Sequence, residues 1–188
     1  VIVAHGNLKE YYRVKPLPET CRELTQKYVS GLSYVSYMVM ITDWDSGNVE
    51  EILRPCMFED VYRIHTGEVF VPDGEGIPAE LYESIMMTYF PVTAEQLREY
   101  CNYDAATDTY KYEMSISQPL PPFPEVVDYK ENVDGTLTLF VDGVWPDYGS
   151  DYAFTNQIVV RPLENGAFRY LSNSIQKQEL DIPVVGKR

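Results

Sequence analysis

The spacing of apolar residues changes near Tyr103, and this change constrains the fold more than any other feature of the chain. Before it, apolar side chains recur every three or four residues, which lines one face of a helix. After it they alternate with polar ones, as in "TYKYEMSIS" at 109–117, which predicts a half-buried strand. Helices followed by strands favour an α+β fold, with N-terminal helices packed on a curved antiparallel sheet.

The first half of the chain contains several helix signals. Residues 16–40 begin with helical spacing, where Thr20 is a candidate cap, and continue with β-branched residues that favour extended backbone. Residues 61–78 predict a hairpin or an irregular extended segment. Thr93 and Gln96 are spaced as a capping box, which predicts the start of a further helix.

The second half is predicted to be a meander of hairpins covering most of residues 103–188. Asp-Gly at 134–135 and Asn-Gly at 165–166 each lie between apolar runs. Both pairs suit a type I′ turn, which needs positive φ at its two central residues. A two-residue turn at 165–166 would place Arg161 across from Tyr170, with the cation over the ring.

A chain of 188 residues is long enough for one domain with its own core. We expect a single domain over 1–188, with residues 1–15 as an extended N-terminal segment. The proline-rich bridge "QPLPPFP" at 118–124 is either a linker or a crossing within the domain, and we favour the crossing. Because the chain starts without Met, a processed or truncated form is expected.

Charge and hydropathy narrow the classes of partner. Asp and Glu total 29 against 15 Lys and Arg, for a net charge of -14. Such a chain repels phosphate backbones, so nucleic acid is not expected as a partner. No stretch approaches the roughly 20 apolar residues that span a bilayer, so no membrane-spanning segment is expected.

Metal sites are not predicted. Cys21, Cys56 and Cys101 lie too far apart for a zinc motif, which leaves either one disulfide or three buried thiols. Asp43 and Asp45 begin like a calcium loop, but the later ligand positions hold the wrong residues, so a capped turn is expected there.

Catalytic signatures are not found either. His65 and Glu68 could form an acid–base pair, yet no nucleophile motif lies nearby, and a hydrogen-bonded histidine on a strand is the expected role. We assign no catalytic residue and no cofactor.

The segment "VWPDYGSDYAF" at 144–154 is the best candidate for a ligand site. Trp145, Tyr148, Asp151 and Tyr152 place flat rings beside a hydrogen-bonding carboxylate, as sugar-binding and peptide-binding surfaces do. The alternative is that the rings fold onto their own sheet.

Three segments carry a resemblance to a family: "PCMFEDVYRIHTGEVFVP", "LYESIMMTYFPVTAEQLREYCNYDAATDTY" and "NGAFRYLSNSI". Over roughly residues 50–175, the chain resembles a domain-of-unknown-function family of exported cell-envelope proteins, often lipoproteins, of Gram-positive gut anaerobes. The resemblance implies an extracytoplasmic location, lipid-anchored or secreted, and implies no functional residues.

The order of elements is also similar to the cone-shaped α+β folds of the nuclear-transport-factor-2-like and cystatin-like groups. Such folds host enzymes and binding modules alike. We expect a non-enzymatic binding or interaction module whose partner is a cell-wall glycan, a peptide or an envelope protein. A hydrolase with an acid–base site in the cone and an inert structural spacer are the alternatives.

Overall fold

The computed structural model describes residues 17–33, 35–115 and 120–182, so the expected extended segment at 1–15 lies outside the described residues. Helices dominate the first half and strands the second. The helices are α1 (Glu19–Tyr28), α2 (Met38–Ile41), α3 (Met57–Thr66), α4 (Ala79–Tyr89) and α5 (Ala94–Tyr100), with 3-10 turns at Val35–Tyr37, Val49–Glu51 and Pro146–Tyr148. The strands are β1 (Ile77–Pro78), β2 (Tyr103–Asp104), β3 (Thr109–Tyr110), β4 (Phe123–Glu131), β5 (Leu137–Val144), β6 (Phe154–Pro162) and β7 (Phe168–Gln178).

The strands form two antiparallel sheets. A small sheet has the order β1-β3-β2, and a larger one runs as the predicted meander β4-β5-β6-β7. Register shifts interrupt the β4–β5 and β6–β7 ladders, and such bulges increase the local twist. The α+β fold expected from the sequence is confirmed.

One cluster of buried side chains draws on the helices and on both sheets. Its members include Val39, Phe58, Tyr82, Tyr110 and Ile158. The cluster therefore lies between the helical half of the chain and the inner face of the meander. Within the described residues, no helix is long and apolar enough to cross a membrane.

Helix α1 is fixed to the larger sheet by a buried threonine. The Thr25 hydroxyl donates to the Cys21 carbonyl at 2.8 Å and accepts from the Val126 amide at 2.9 Å. The predicted cap at Thr20 is wrong, because the helix begins at Glu19 after Pro18 and has no side-chain cap bond.

Of two further predictions for the helical half of the chain, one is confirmed and the other is wrong. The capping box of α5 is confirmed, since the Thr93 amide donates to Gln96 Oε1 at 2.9 Å and the Gln96 amide donates to Thr93 Oγ1 at 3.2 Å. The extended structure expected after Gly31 is wrong, because a 3-10 turn and the short helix α2 occupy residues 35–41.

The extended structure expected at 61–78 is also wrong for residues 61–66, which form the second half of α3. Met57, Phe58 and Val61 are spaced for one helical face and are buried on it. Gly67 ends the helix with φ of 76°. The helical period begins at Met57, so the segment 61–78 alone contains only part of it.

Of the strand predicted at 109–117, residues 116 and 117 lie outside the described residues, and among residues 109–115 the strand is limited to Thr109–Tyr110. Its alternation continues to Met114, but that side chain is 77% exposed. The backbone instead follows α3, where the Ser115 amide donates to Glu59 at 2.6 Å. The carboxylate of Glu59 therefore replaces a neighbouring strand as the partner of this segment.

The two hairpin turns differ from each other. Asn165 and Gly166 have φ of 59° and 81°, as a type I′ turn requires. In the β4–β5 hairpin only Gly135 has positive φ, so the type I′ prediction is wrong at 134–135.

The predicted partner of Arg161 is wrong by one residue. Arg161 lies opposite Arg169, and Val160 lies opposite Tyr170. The reason is a three-residue loop, closed by a hydrogen bond from the Leu163 amide to the Ala167 carbonyl at 2.8 Å. A shift of one residue moves a side chain to the other face of the sheet.

All three cysteines, Cys21, Cys56 and Cys101, are buried thiols. Of the two alternatives that the sequence left open, the one without a disulfide is found.

Candidate functional site

The segment between β5 and β6 is a closed loop of defined geometry. The Trp145 amide donates to the Ser150 carbonyl at 2.7 Å, and the Ser150 amide donates back at 3.2 Å. Gly149 supplies the positive φ, 61°, that lets the chain reverse. The predicted site residues are thus carried on a loop that two main-chain bonds close.

Three of the predicted residues, Tyr148, Asp151 and Tyr152, line one open cavity of about 450 Å³, which we call the loop cavity. The two tyrosine side chains are 65% and 50% exposed. The remaining lining residues are Gly149, Ser150, Glu179 and Leu180.

Trp145, the fourth predicted residue, is not among those that line the loop cavity. It is half-buried and packs against the hydrophobic core. Its ring meets that of Tyr148 edge to face, with centroids 4.7 Å apart and planes at 77°. Trp145 therefore connects the Tyr148 ring to the hydrophobic core.

Glu179 completes the loop cavity from the far end of β7. Its amide donates to the Ala153 carbonyl at 3.1 Å, and its carboxylate accepts from the Ser150 hydroxyl at 3.4 Å. A hydrogen bond from Lys177 holds the pKa of Glu179 below its ordinary value, so the group is ionised at neutral pH. Sequence reasoning missed Glu179, because no local motif links it to a loop 29 residues away.

The arrangement suits binding of a flat, hydroxyl-rich ligand. Exposed tyrosine rings offer apolar faces, and carboxylate oxygens accept hydrogen bonds from hydroxyl groups. In the described parts of the chain, no group of three His, Cys, Asp or Glu side chains could hold a metal ion.

A second concave site, unpredicted from the sequence, lies between the loop that follows α3 and the small sheet. Two adjoining cavities of about 270 and 590 Å³ share Gly74, Gly76 and Lys111 as lining residues. We call this pair the Lys111 cleft. At Gly76, φ is 88° and an added Cβ would lie 2.9 Å from the Thr109 hydroxyl. The loop can approach β3 so closely only with glycine there.

The Lys111 cleft rests on a network of rings and charges. Tyr110 donates to Glu83 at 2.9 Å, and Arg98 donates to both oxygens of the same carboxylate at 2.7 and 3.3 Å. The guanidinium of Arg98 also lies 4.9 Å from the centroid of the Tyr103 ring. These contacts hold Tyr103, one wall of the larger cavity, against α4 and α5.

Buried carboxylates of α3 hold the wall of the smaller cavity. Tyr112, which lines the smaller cavity, donates to Glu59 at 3.1 Å. The neighbouring carboxylate, Asp60, is fully buried and accepts from Arg63 at 2.8 Å and from the Ser115 hydroxyl at 3.2 Å.

The histidine and the aspartates considered as catalytic or metal-binding candidates form hydrogen bonds within the protein. His65 is exposed on α3, not on a strand, and its Nδ1 lies 3.1 Å from the Tyr89 hydroxyl. The turn at 43–48 is capped as predicted, because Asp45 accepts from the Gly47 amide at 2.7 Å. Asp43 accepts from the Ile175 amide, also at 2.7 Å.

Comparison with known proteins places the chain in a family. Residues 4–188 match the model of a family described as "Family of unknown function (DUF6070)". No curated protein and no solved structure matches the chain. The match confirms the expected kinship with an uncharacterised family, while the cell-envelope location stays a prediction. Since the match covers nearly the whole sequence, the chain belongs to the DUF6070 family.

Proposed function

We propose that this protein is a non-enzymatic binding module that holds a neutral glycan in the loop cavity. The observation that carries the proposal is that the exposed rings of Tyr148 and Tyr152 line the same open cavity as Asp151 and Glu179. Binding sites typically combine apolar or aromatic surface with a few polar groups that orient the ligand.

Charge favours a neutral sugar as the ligand. Asp151 and Glu179 place two carboxylates on the cavity lining, of which Glu179 is paired with Lys177, and the whole chain carries a net charge of -14. An anionic ligand would be repelled, whereas sugar hydroxyls can donate to these carboxylates. The C–H face of a pyranose ring is apolar and can stack on a tyrosine.

Binding is favoured over hydrolysis by the ionisation of Glu179. Glycoside hydrolysis needs a carboxylic acid that stays protonated to donate to the leaving group, which requires a raised pKa. The pKa of Glu179 is instead lowered by its hydrogen bond from Lys177. An ionised carboxylate can accept hydrogen bonds from the sugar but is a poor general acid.

We further propose that the module acts outside the cytoplasm, as a lipid-anchored or secreted protein of the cell envelope. The resemblance of three sequence segments to exported envelope proteins supports this location. Protease treatment of intact source cells tests it: an extracellular module is degraded while cytoplasmic proteins persist. Survival of the protein until the cells are lysed would contradict the proposal.

The binding proposal is tested by calorimetric titration with three soluble hexasaccharides, namely cellohexaose, chitohexaose and maltohexaose. We expect saturable binding of at least one. Removing an aromatic contact by Tyr148→Ala or Tyr152→Ala should weaken binding about 5- to 30-fold. Tyr129→Ala is the matched control, because Tyr129 is 40% exposed on β4 and does not line the loop cavity.

Three outcomes would contradict the proposal. Binding that both tyrosine variants retain would place the glycan elsewhere on the protein. Absence of binding to all three sugars would favour a structural spacer. Shortening of a hexasaccharide during incubation would favour a hydrolase.

A further inference from the structure

Lys111 is a cation without an ion-pair partner in the part of the chain that the structure describes. It is exposed and lines both cavities of the Lys111 cleft. Several other cations of the described residues are paired, as Arg63 is with Asp60 and Arg98 with Glu83. An unpaired ammonium at the junction of two cavities is positioned to meet a carboxylate from a ligand.

The larger cavity also contains negative charge. Glu75 and Asp104 line it together with Lys111, and Asn102, Thr107 and Thr109 add neutral polar groups. Two carboxylates would repel a ligand that carried only negative charge. A ligand with both an ammonium and a carboxylate matches both signs.

The smaller cavity is mainly apolar and adjoins the charged one. Phe70, Pro72 and Tyr112 line it, and the rings of Phe70 and Tyr112 lie 5.7 Å apart with planes at 33°. Its volume of about 270 Å³ accommodates an apolar side chain beside the polar groups of the larger cavity. The ligand is therefore expected to carry an apolar side chain near its charged ends.

The chain that leads into the smaller cavity has no regular secondary structure and is open to a partner. Val69 and Val71 are 63% and 79% exposed, while Phe70 between them packs against Phe58 with ring centroids 5.3 Å apart. Within the described residues, the main chain of 69–71 has no hydrogen-bond partner. Such a segment can form main-chain hydrogen bonds with a peptide. A free amino acid has no peptide group and offers fewer such bonds.

We propose that the Lys111 cleft binds a short zwitterionic peptide with an apolar side chain. The peptide carboxylate meets Lys111, its ammonium faces Glu75 and Asp104, and its side chain enters the cavity beside Phe70. This second site is separate from the loop cavity, since the two share no lining residue, and it does not depend on the glycan proposal.

Calorimetric titration with leucyl-leucine tests the proposal, alongside its N-acetyl and C-terminal amide derivatives. We expect saturable binding of the zwitterion and weaker binding of each derivative by about tenfold or more, because each lacks one charge-assisted contact. Lys111→Met should weaken leucyl-leucine binding by a similar factor, about tenfold. Lys130→Met is the control, because Lys130 is an exposed lysine of β4 outside the cleft.

Failure of leucyl-leucine to bind saturably would overturn the proposal, as would equal affinity in the Lys111→Met variant. Equal binding of the N-acetyl derivative would overturn the assignment of a zwitterion. Tyr152→Ala should bind leucyl-leucine like the unmodified protein, so loss of glycan binding and loss of peptide binding are distinguishable.

Discussion

The ring of Tyr82 stacks on the ring of Tyr110, with centroids 4.0 Å apart and planes 7° apart. Both side chains are fully buried, one on α4 and the other on β3. On its other side Tyr82 stacks on Phe58 of α3, with centroids 4.8 Å apart. Three aromatic rings thus join two helices to the small sheet beneath the Lys111 cleft.

Replacing the central ring should therefore weaken the whole fold. We expect Tyr82→Ala to lower the free energy of unfolding by about 3 to 5 kcal/mol, since it leaves a cavity between two rings. Urea unfolding followed by circular dichroism measures the loss. Tyr129→Ala, which changes a tyrosine 40% exposed on β4, should stay within about 0.5 kcal/mol. Equal losses in the two variants would contradict a stabilising stack.

The buried carboxylate of Asp60 is expected to stabilise the fold through its hydrogen bonds. It accepts from the Ser33 amide at 3.0 Å, from the hydroxyls of Ser36 and Ser115, and from Arg63. Asp60→Ala removes the shared acceptor and leaves several donors unsatisfied in the interior. Each unsatisfied buried donor costs about 1 to 3 kcal/mol, so a loss of about 3 kcal/mol or more is expected.

Urea unfolding of Asp60→Ala and of Asp147→Ala makes the comparison, because Asp147 is an exposed carboxylate of the loop between β5 and β6. The Asp147 variant should remain within about 0.5 kcal/mol of the unmodified protein. A loss below about 1 kcal/mol for Asp60→Ala would mean that water or rearranged side chains replace its hydrogen bonds.

Features with local causes could be predicted from the sequence. The capping box of Thr93 and Gln96 involves residues three positions apart, and the order of the meander follows from strands joined by short turns. Tyr148, Asp151 and Tyr152 line one cavity because they are close together in the sequence, and their binding of a ligand stays a prediction.

Features set by distant contacts could not be predicted. The Lys111 cleft forms because Gly76 approaches β3, more than 30 positions further along the chain, and nothing in the local sequence marks Lys111 as a lining residue. Likewise the backbone near Ser115 departs from a strand because Glu59 of α3 supplies its hydrogen bond. The exact pairing of residues in the β6–β7 hairpin could not be predicted from the hydrophobic pattern either. One extra loop residue places Arg161 opposite Arg169.

The fold should lose stability in alkaline solution. Burial raises the pKa of the Cys56 thiol from 9.0 to about 11, and burial also raises the pKa values of Tyr82 and Tyr170. Above about pH 9 the unfolded chain releases the Cys56 proton while the folded chain keeps it, so the unfolded state binds fewer protons. The contribution of Cys56 is therefore complete below about pH 9 and is lost as the pH rises towards about 11.

Urea unfolding at a series of pH values measures this loss, and tyrosinate absorbance separates the later ionisation of tyrosines. Cys56→Ala should flatten the decline between about pH 9 and about pH 11 without abolishing the decline at higher pH. A profile for Cys56→Ala that coincides with that of the unmodified protein would show that Cys56 ionises alike in both states.

Trp145 and Tyr148 touch edge to face, yet their replacement should have different effects. Trp145 packs on the core and its main chain closes the loop, so Trp145→Ala is expected to cost about 1 to 3 kcal/mol of unfolding free energy. Tyr148 is 65% exposed, so Tyr148→Ala should cost less than about 1 kcal/mol. Urea unfolding and amide exchange within the loop measure both effects. If Trp145→Ala left stability and loop exchange unchanged, Trp145 would not be the support of the ring above it, and any loss of glycan binding in that variant would have to come from direct contact.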